Sequence, residues 1–183
     1  MSPLATACSV PTSPDRPPTP PAPESLAYSL TLPAAPHSPA VVRAATRTFL
    51  RTHGLSGMTD AAVQVASELT ACACAFAPAS EVYLSLRYRD GTLRVVLYDG
   101  HPRHTHPRLA AACDTRRRAT LRVLGCVVRA CAGDWGFGDA REPGGGTRMW
   151  AVLPHAAACR FAQGGERAGE RVTPPSEQAG RTD

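Results

Sequence analysis

Hydrophobic and polar positions alternate in some stretches of the chain and recur at helical spacing in others. "SLAYSLTLP" is a short alternating run that ends at Pro33 and predicts a first strand. "EVYLSLRYR" and "TLRVVLYD" alternate more cleanly, with Val82, Leu84 and Leu86 on one face. Asp90-Gly91 joins them as a two-residue loop suited to a type I′ hairpin turn. "DWGFGDAREPGGGTRMWAVLP" predicts a final hairpin whose second strand covers 148–153.

Between these strands the apolar period lengthens. "SPAVVRAATRTFLRTHG" predicts a helix with Ser38 as cap, Pro39 in the first turn and Gly54 after the last. Its apolar stripe is Val42, Ala45 and Phe49. A second helix starts near Thr59 or Asp60 and runs to about Phe76, with Val65, Leu69, Cys72 and Phe76 on one face. A loop over 99–115 leads to a third helix over roughly 116–132. The order strand, helix, helix, hairpin, helix, hairpin predicts an α+β fold: a two-layer sandwich with helices on one face of a mixed, mostly antiparallel sheet.

The ends of the chain lack such patterning. Residues 1–24, closing on "SPDRPPTPPAPE", are expected to be a disordered arm, because a Pro-rich polar segment cannot bury enough apolar surface to offset its ordering entropy. The polar, Gly/Pro-punctuated tail 158–183 is expected to be disordered too, leaving one domain over 25–157.

Composition narrows the chemistry. All 20 basic residues are arginine, and lysine, asparagine and isoleucine are absent. Those three have A/T-rich codons, so a GC-rich source of actinobacterial style is expected. The missing lysine excludes a P-loop and a Schiff-base enzyme. A formal net charge of +5 permits anionic ligands without requiring nucleic acid. The seven cysteines are an odd number, which fits reduced thiols better than a disulfide scaffold. No secretory signal and no membrane-spanning run is evident, so a soluble cytoplasmic protein is expected.

Three segments carry candidate chemistry: "VASELTACA" on the second helix, "LRVVLYDGHP" at a strand end, and "GDWGF" with "GGGTRMWAVL" in the last hairpin. In this order they resemble the histidine-kinase-like ATPase family over about residues 36–154, and most closely its anti-sigma-factor serine kinase branch. The resemblance implies a site for ATP between the second helix and a mobile loop. Its helix motif resembles Ser-Glu-Leu-x-x-Asn-Ala, where the Glu activates a hydroxyl and the Asn binds Mg²⁺. Glu68 matches the catalytic acid, and Cys72 stands at the Asn position. A thiol is a poor ligand for Mg²⁺, which prefers hard oxygen donors.

The resemblance also implies that Asp99, with Gly100 and Pro102 after it, accepts a hydrogen bond from the adenine amino group, and that the Thr147 hydroxyl lies near that acid. On the residues alone, Asp-Gly-x-Pro is equally a turn, and Thr147 an ordinary strand residue. The family's Gly-x-Gly phosphate box is missing from "TRRRATLRVLG", where Arg122 and Leu124 stand in the glycine positions. Arg116, Arg117 and Arg118, expected at the start of the third helix, are candidate phosphate contacts; a solvated basic turn or a partner-binding patch is the plainer reading.

The resemblance thus implies an ATP-binding regulator. If active, it is a serine/threonine-protein kinase whose Glu68 activates a substrate hydroxyl. Its partner is a sigma factor or an anti-sigma antagonist, and homodimers are frequent in the family. A non-catalytic protein-interaction module of the same fold is the alternative, favoured by the lost Asn and the lost glycines. Nucleic-acid binding by the basic stretch 103–118 is weaker, since no aromatic residues interleave the arginines.

No metal site is expected. Cys72 and Cys74 face different sides of a helix, and Cys126 and Cys131 are poorly spaced for a metal or redox pair. The loop "HPRHTHPR" has metal-like density in His101, His104 and His106, but its prolines stiffen it.

Overall fold

The computed structural model describes residues 21–78, 80–102, 104–140 and 145–161. The expected N-terminal arm lies outside the described residues up to residue 20, and the expected tail lies outside them from 162 onward.

The strands are β1 (Ala27–Pro33), β2 (Glu81–Arg89), β3 (Thr92–Asp99), β4 (Asp134–Asp139) and β5 (Thr147–Pro154). They form one sheet in the order β1-β2-β3-β5-β4. Every pairing is antiparallel, the limiting case of the mostly antiparallel sheet expected. The β2–β3 turn is the predicted one. Asp90 and Gly91 have φ of 50° and 71°, the left-handed pair that a type I′ turn requires.

Alternate residues on the central strands turn inward: Val82, Leu84 and Leu86 from β2, Leu93, Val95 and Leu97 from β3, and Met149, Ala151 and Leu153 from β5. The helices cover this face. They are α1 (Ser38–Thr52), α2 (Thr59–Phe76), α3 (Pro107–Thr120) and α4 (Arg122–Ala130). The expected α2 face, Val65, Leu69, Cys72 and Phe76, is buried in the core. With one layer of helices on one face of one sheet, the architecture is the two-layer α+β sandwich read from the sequence.

Two helix details differ from expectation. On α1 the fully buried row is Val42, Thr46 and Leu50, while Ala45 and Phe49 sit at its margin. Phe49 instead stacks on Tyr28 of β1 at 3.9 Å, which pulls the stripe by one residue. The cap positions fall on His37 and Met58, not on Ser38 or on Thr59 or Asp60 as expected, and neither makes a side-chain capping bond. The Ser38 hydroxyl donates to the Pro33 carbonyl at 2.6 Å and closes the β1–α1 connection.

The third helix differs more. The stretch read as a loop and one helix is two helices. Pro107 opens α3 at a position that requires no N–H donor. Leu121, buried to 0% exposure, separates α3 from α4. Arg116, Arg117 and Arg118 therefore lie near the C-terminal end of α3, not at a helix start. Cations there are favoured by the negative end of the helix dipole, but that end presents carbonyls, not N–H groups, to an anion. Residues 155–161 are helical and bury Ala157 and Ala158, so ordered packing runs past residue 157.

Candidate functional site

The end of β3 projects Asp99 into the sandwich, where its carboxylate is fully buried. A buried carboxylate needs partners for both oxygens. Asp99 Oδ1 accepts from the His101 backbone N–H at 3.0 Å. Asp99 Oδ2 accepts from Arg117 Nη1 at 2.9 Å. Arg117 reaches this point from α3 and is only 2% exposed. It is the one buried residue of that helix.

Arg117 is packed as well as paired. Its guanidinium lies 4.1 Å from the centre of the Phe76 ring, close enough for a cation–π contact. Nη1 also points at Met149 Sδ (3.1 Å) and Cys72 Sγ (3.9 Å). Nη2 is buried and has no hydrogen-bond partner among the described residues. An unmade bond of this kind costs about 1–3 kcal/mol. Burial pushes the Cys72 thiol up to about 11; the Arg117 charge works against that shift and the Asp99 carboxylate adds to it. Cys72 is therefore a neutral thiol at physiological pH.

β5 supplies the other wall. Thr147 pairs opposite Asp99 in the sheet register, and its hydroxyl donates to the His101 carbonyl at 3.0 Å. Gly146, just before it, has φ of 99°, and a Cβ there would stand 2.2 Å from the Asp99 carbonyl oxygen. Only glycine permits that approach. Gly100 is exposed beside this junction.

Cys72, Asp99 and Thr147 are thus gathered at one end of the sandwich, with Gly100 adjoining. Arg117 joins them, though as the partner of Asp99 and not as a phosphate contact. Arg116 and Arg118 stay at the surface, over the rings of Phe76 and Phe137 at 5.2 Å and 5.3 Å. Glu68 is half-buried on α2, one turn before Cys72, and accepts a hydrogen bond from Gln64 Nε2 at 2.7 Å.

The space that remains beside Arg117 has room for the centre of a single water-sized sphere, about 10 Å³. It is lined by His101, His104, Cys113, Asp114 and Thr147, among others. That suits one water or one ion, and an adenine ring needs many times more. The donor set around Cys72 also does not fit Mg²⁺, because it offers a neutral thiol beside a guanidinium in place of hard oxygen.

The pairing of Asp99 with Arg117 was missed in the sequence. Its only trace there is an arginine in a stretch of three, and nothing local distinguishes Arg117 from its neighbours.

No family model matches the chain, and no curated protein matches it in sequence.

Among the described residues, no helix lies on the opposite face of the sheet. There Tyr83, Arg87, Arg94, Tyr98 and Arg148 line a shallow depression of about 350 Å³. Arg87 stands directly across from Arg94, and Tyr83 across from Tyr98. Like charges set opposite each other weaken a sheet. Among the described residues, no helix is long and apolar enough to cross a membrane.

Proposed function

We propose that the chain is a non-catalytic regulator of the histidine-kinase-like ATPase type, related to the anti-sigma-factor serine kinases. It acts by binding a protein partner, a sigma factor or its antagonist, and not by transferring phosphate. One observation carries this reading: Arg117 occupies the space against Asp99 that an adenine amino group would need. The neutral Cys72 thiol at the metal-binding position supports it. So does the sheet face that no described helix covers, whose Tyr and Arg side chains are types enriched at protein interfaces and matched to an acidic partner.

The test has two arms. The full chain is incubated with radiolabelled ATP, Mg²⁺ and the anti-sigma antagonists of its source genome. The same proteins and the sigma factors are titrated against it by calorimetry. No label transfer, together with saturable binding to one of them that weakens in Arg87→Glu, is expected. Magnesium-dependent transfer that disappears in Glu68→Ala would overturn the proposal.

A second reading, ATP binding without turnover, is favoured by the burial of Asp99 beside Gly146 and Thr147 at the end of β3. ATP would have to displace Arg117. On this reading Arg117→Met tightens ATP binding at least severalfold, and Asp99→Ala abolishes it. Equal, undetectable binding by all three proteins at millimolar ATP would eliminate it.

A further inference from the structure

Beside the Asp99–Arg117 pair, three metal-ligating side chains converge from two elements. His101 and His104 come from the segment after β3, and Cys113 comes from α3. All three are half-buried, and their ligand atoms lie within 4.8 Å of one another. Cys113 Sγ is 3.7 Å from His101 Nε2. In a tetrahedral zinc site, with Zn–S near 2.3 Å and Zn–N near 2.05 Å, that edge is about 3.6 Å. With every separation within 4.8 Å, none must close by more than about 1.5 Å to reach tetrahedral edges, a change within the reach of imidazole rotation. His106, the third histidine of the same motif, is exposed at the start of α3 and outside the cluster.

The cluster is held in place independently of any ion. The His101 backbone is fixed on both sides, its N–H by Asp99 and its carbonyl by Thr147. Its ring packs edge-on against Phe76 at 5.4 Å and against His104 at 5.4 Å. The cavity these residues line admits the centre of about one water-sized sphere, enough for a single ion or water. Arg117 also borders it, but its charge is already paired with Asp99.

We propose that His101, His104 and Cys113 bind one Zn²⁺ ion that clasps α3 to the segment after β3. Two imidazoles and a thiolate suit zinc better than Mg²⁺ or Ca²⁺. On binding, the Cys113 thiol gives its proton to solvent and the sulfur becomes the ligand. The fourth position is left to water. Cys113 lies one helical turn before Arg117, so the ion also fixes the helix that carries Arg117 into the core. This proposal does not depend on whether the protein binds ATP or a sigma factor.

The experiment is a Co²⁺ titration of the reduced full chain, followed by competition with Zn²⁺. One Co²⁺ per chain is expected, with a thiolate-to-cobalt charge-transfer band and the visible bands of a tetrahedral site, all displaced by Zn²⁺. Cys113→Ser removes the charge-transfer band. His104→Gln weakens Zn²⁺ binding by roughly tenfold or more. Cys126→Ser, which alters an exposed thiol outside the cluster, leaves the spectrum unchanged. Zn²⁺ raises the thermal midpoint of the wild type and not that of Cys113→Ser. Absence of the charge-transfer band, its survival in Cys113→Ser, or its loss in Cys126→Ser would each overturn the proposal. Circular dichroism of every variant separates a lost ligand from a lost fold.

Discussion

Replacing Arg117 by methionine keeps most of the apolar length that lies over Phe76 and removes the charge. Asp99 then remains fully buried with the His101 N–H as its hydrogen-bond donor. Breaking a buried ion pair from one side costs about 3–5 kcal/mol, because the remaining charge is uncompensated. For a domain of this size that lowers the thermal midpoint by roughly 10 °C or more. Asp99→Leu should be comparably damaging, since it leaves Arg117 Nη1 with only the weakly accepting sulfurs of Met149 and Cys72, beside Nη2, which has no partner among the described residues.

The double variant, Asp99→Leu with Arg117→Met, has no buried charge and no orphaned guanidinium donor. It should return to within about 1–2 kcal/mol of the wild type, or exceed it. Urea unfolding of all four proteins gives the cycle directly, with a coupling energy of several kcal/mol. Single variants within about 1 kcal/mol of the wild type would mean that the pair behaves like a solvated surface bridge. A double variant as unstable as the sum of the singles would mean that the losses come from packing. Either result would refute the account of Arg117 as a charge-paired plug.

Other outcomes follow from the same geometry. Cys72 loses its proton at about 11 in the folded protein against 9.0 ordinarily, so its contribution to stability is complete below pH 9 and declines as pH rises from 9 to about 11. The decline is at most about 1.4 kcal/mol per pH unit. Denaturation curves across that range should flatten in Cys72→Ser, and Cys72 should resist alkylation at pH 8 until the protein is unfolded. Gly146→Ala brings a Cβ onto the Asp99 carbonyl oxygen at a positive φ, and should cost about 2–3 kcal/mol or more in urea unfolding. Cys72→Asn supplies the amide that the proposed likeness to the ATPases calls for but leaves Arg117 in place, so calorimetry should detect no gain in Mg²⁺-dependent ATP binding. Glu68→Gln alters a half-buried helix position whose hydrogen-bond partner among the described residues, Gln64, is on the same helix, and should change stability by less than about 0.5 kcal/mol.

What was legible in the sequence was whatever local rules decide. Alternation placed β2 and β3, Asp90-Gly91 placed their turn, and the spacing of Val65, Leu69, Cys72 and Phe76 placed the buried face of α2. The start of α3 was misplaced because "PRLAAACDTRRRAT" buries almost nothing, so it carries no apolar stripe to read. Its real signals were Pro107 at the first turn and the run of alanines after it. At the candidate site, Cys72, Asp99 and Thr147 were singled out by the resemblance to the ATPase family, and the fold gathers them at one end of the sandwich. Arg117 was singled out only as a phosphate contact and Cys113 not at all, because where they sit depends on where α3 docks. That docking brings residues 14 and 18 positions after Asp99 back to it, which is a tertiary event with no local signature.

The fact that Arg117 is the one buried residue of α3 has a consequence for motion. In the metal-free protein, a helix anchored mainly through one buried side chain, with little apolar surface beneath it, can lift from the body without unfolding the rest. Amide hydrogens along α3 should therefore exchange through an opening far cheaper than global unfolding, while those of α2 and β3 exchange only when the whole sandwich comes apart.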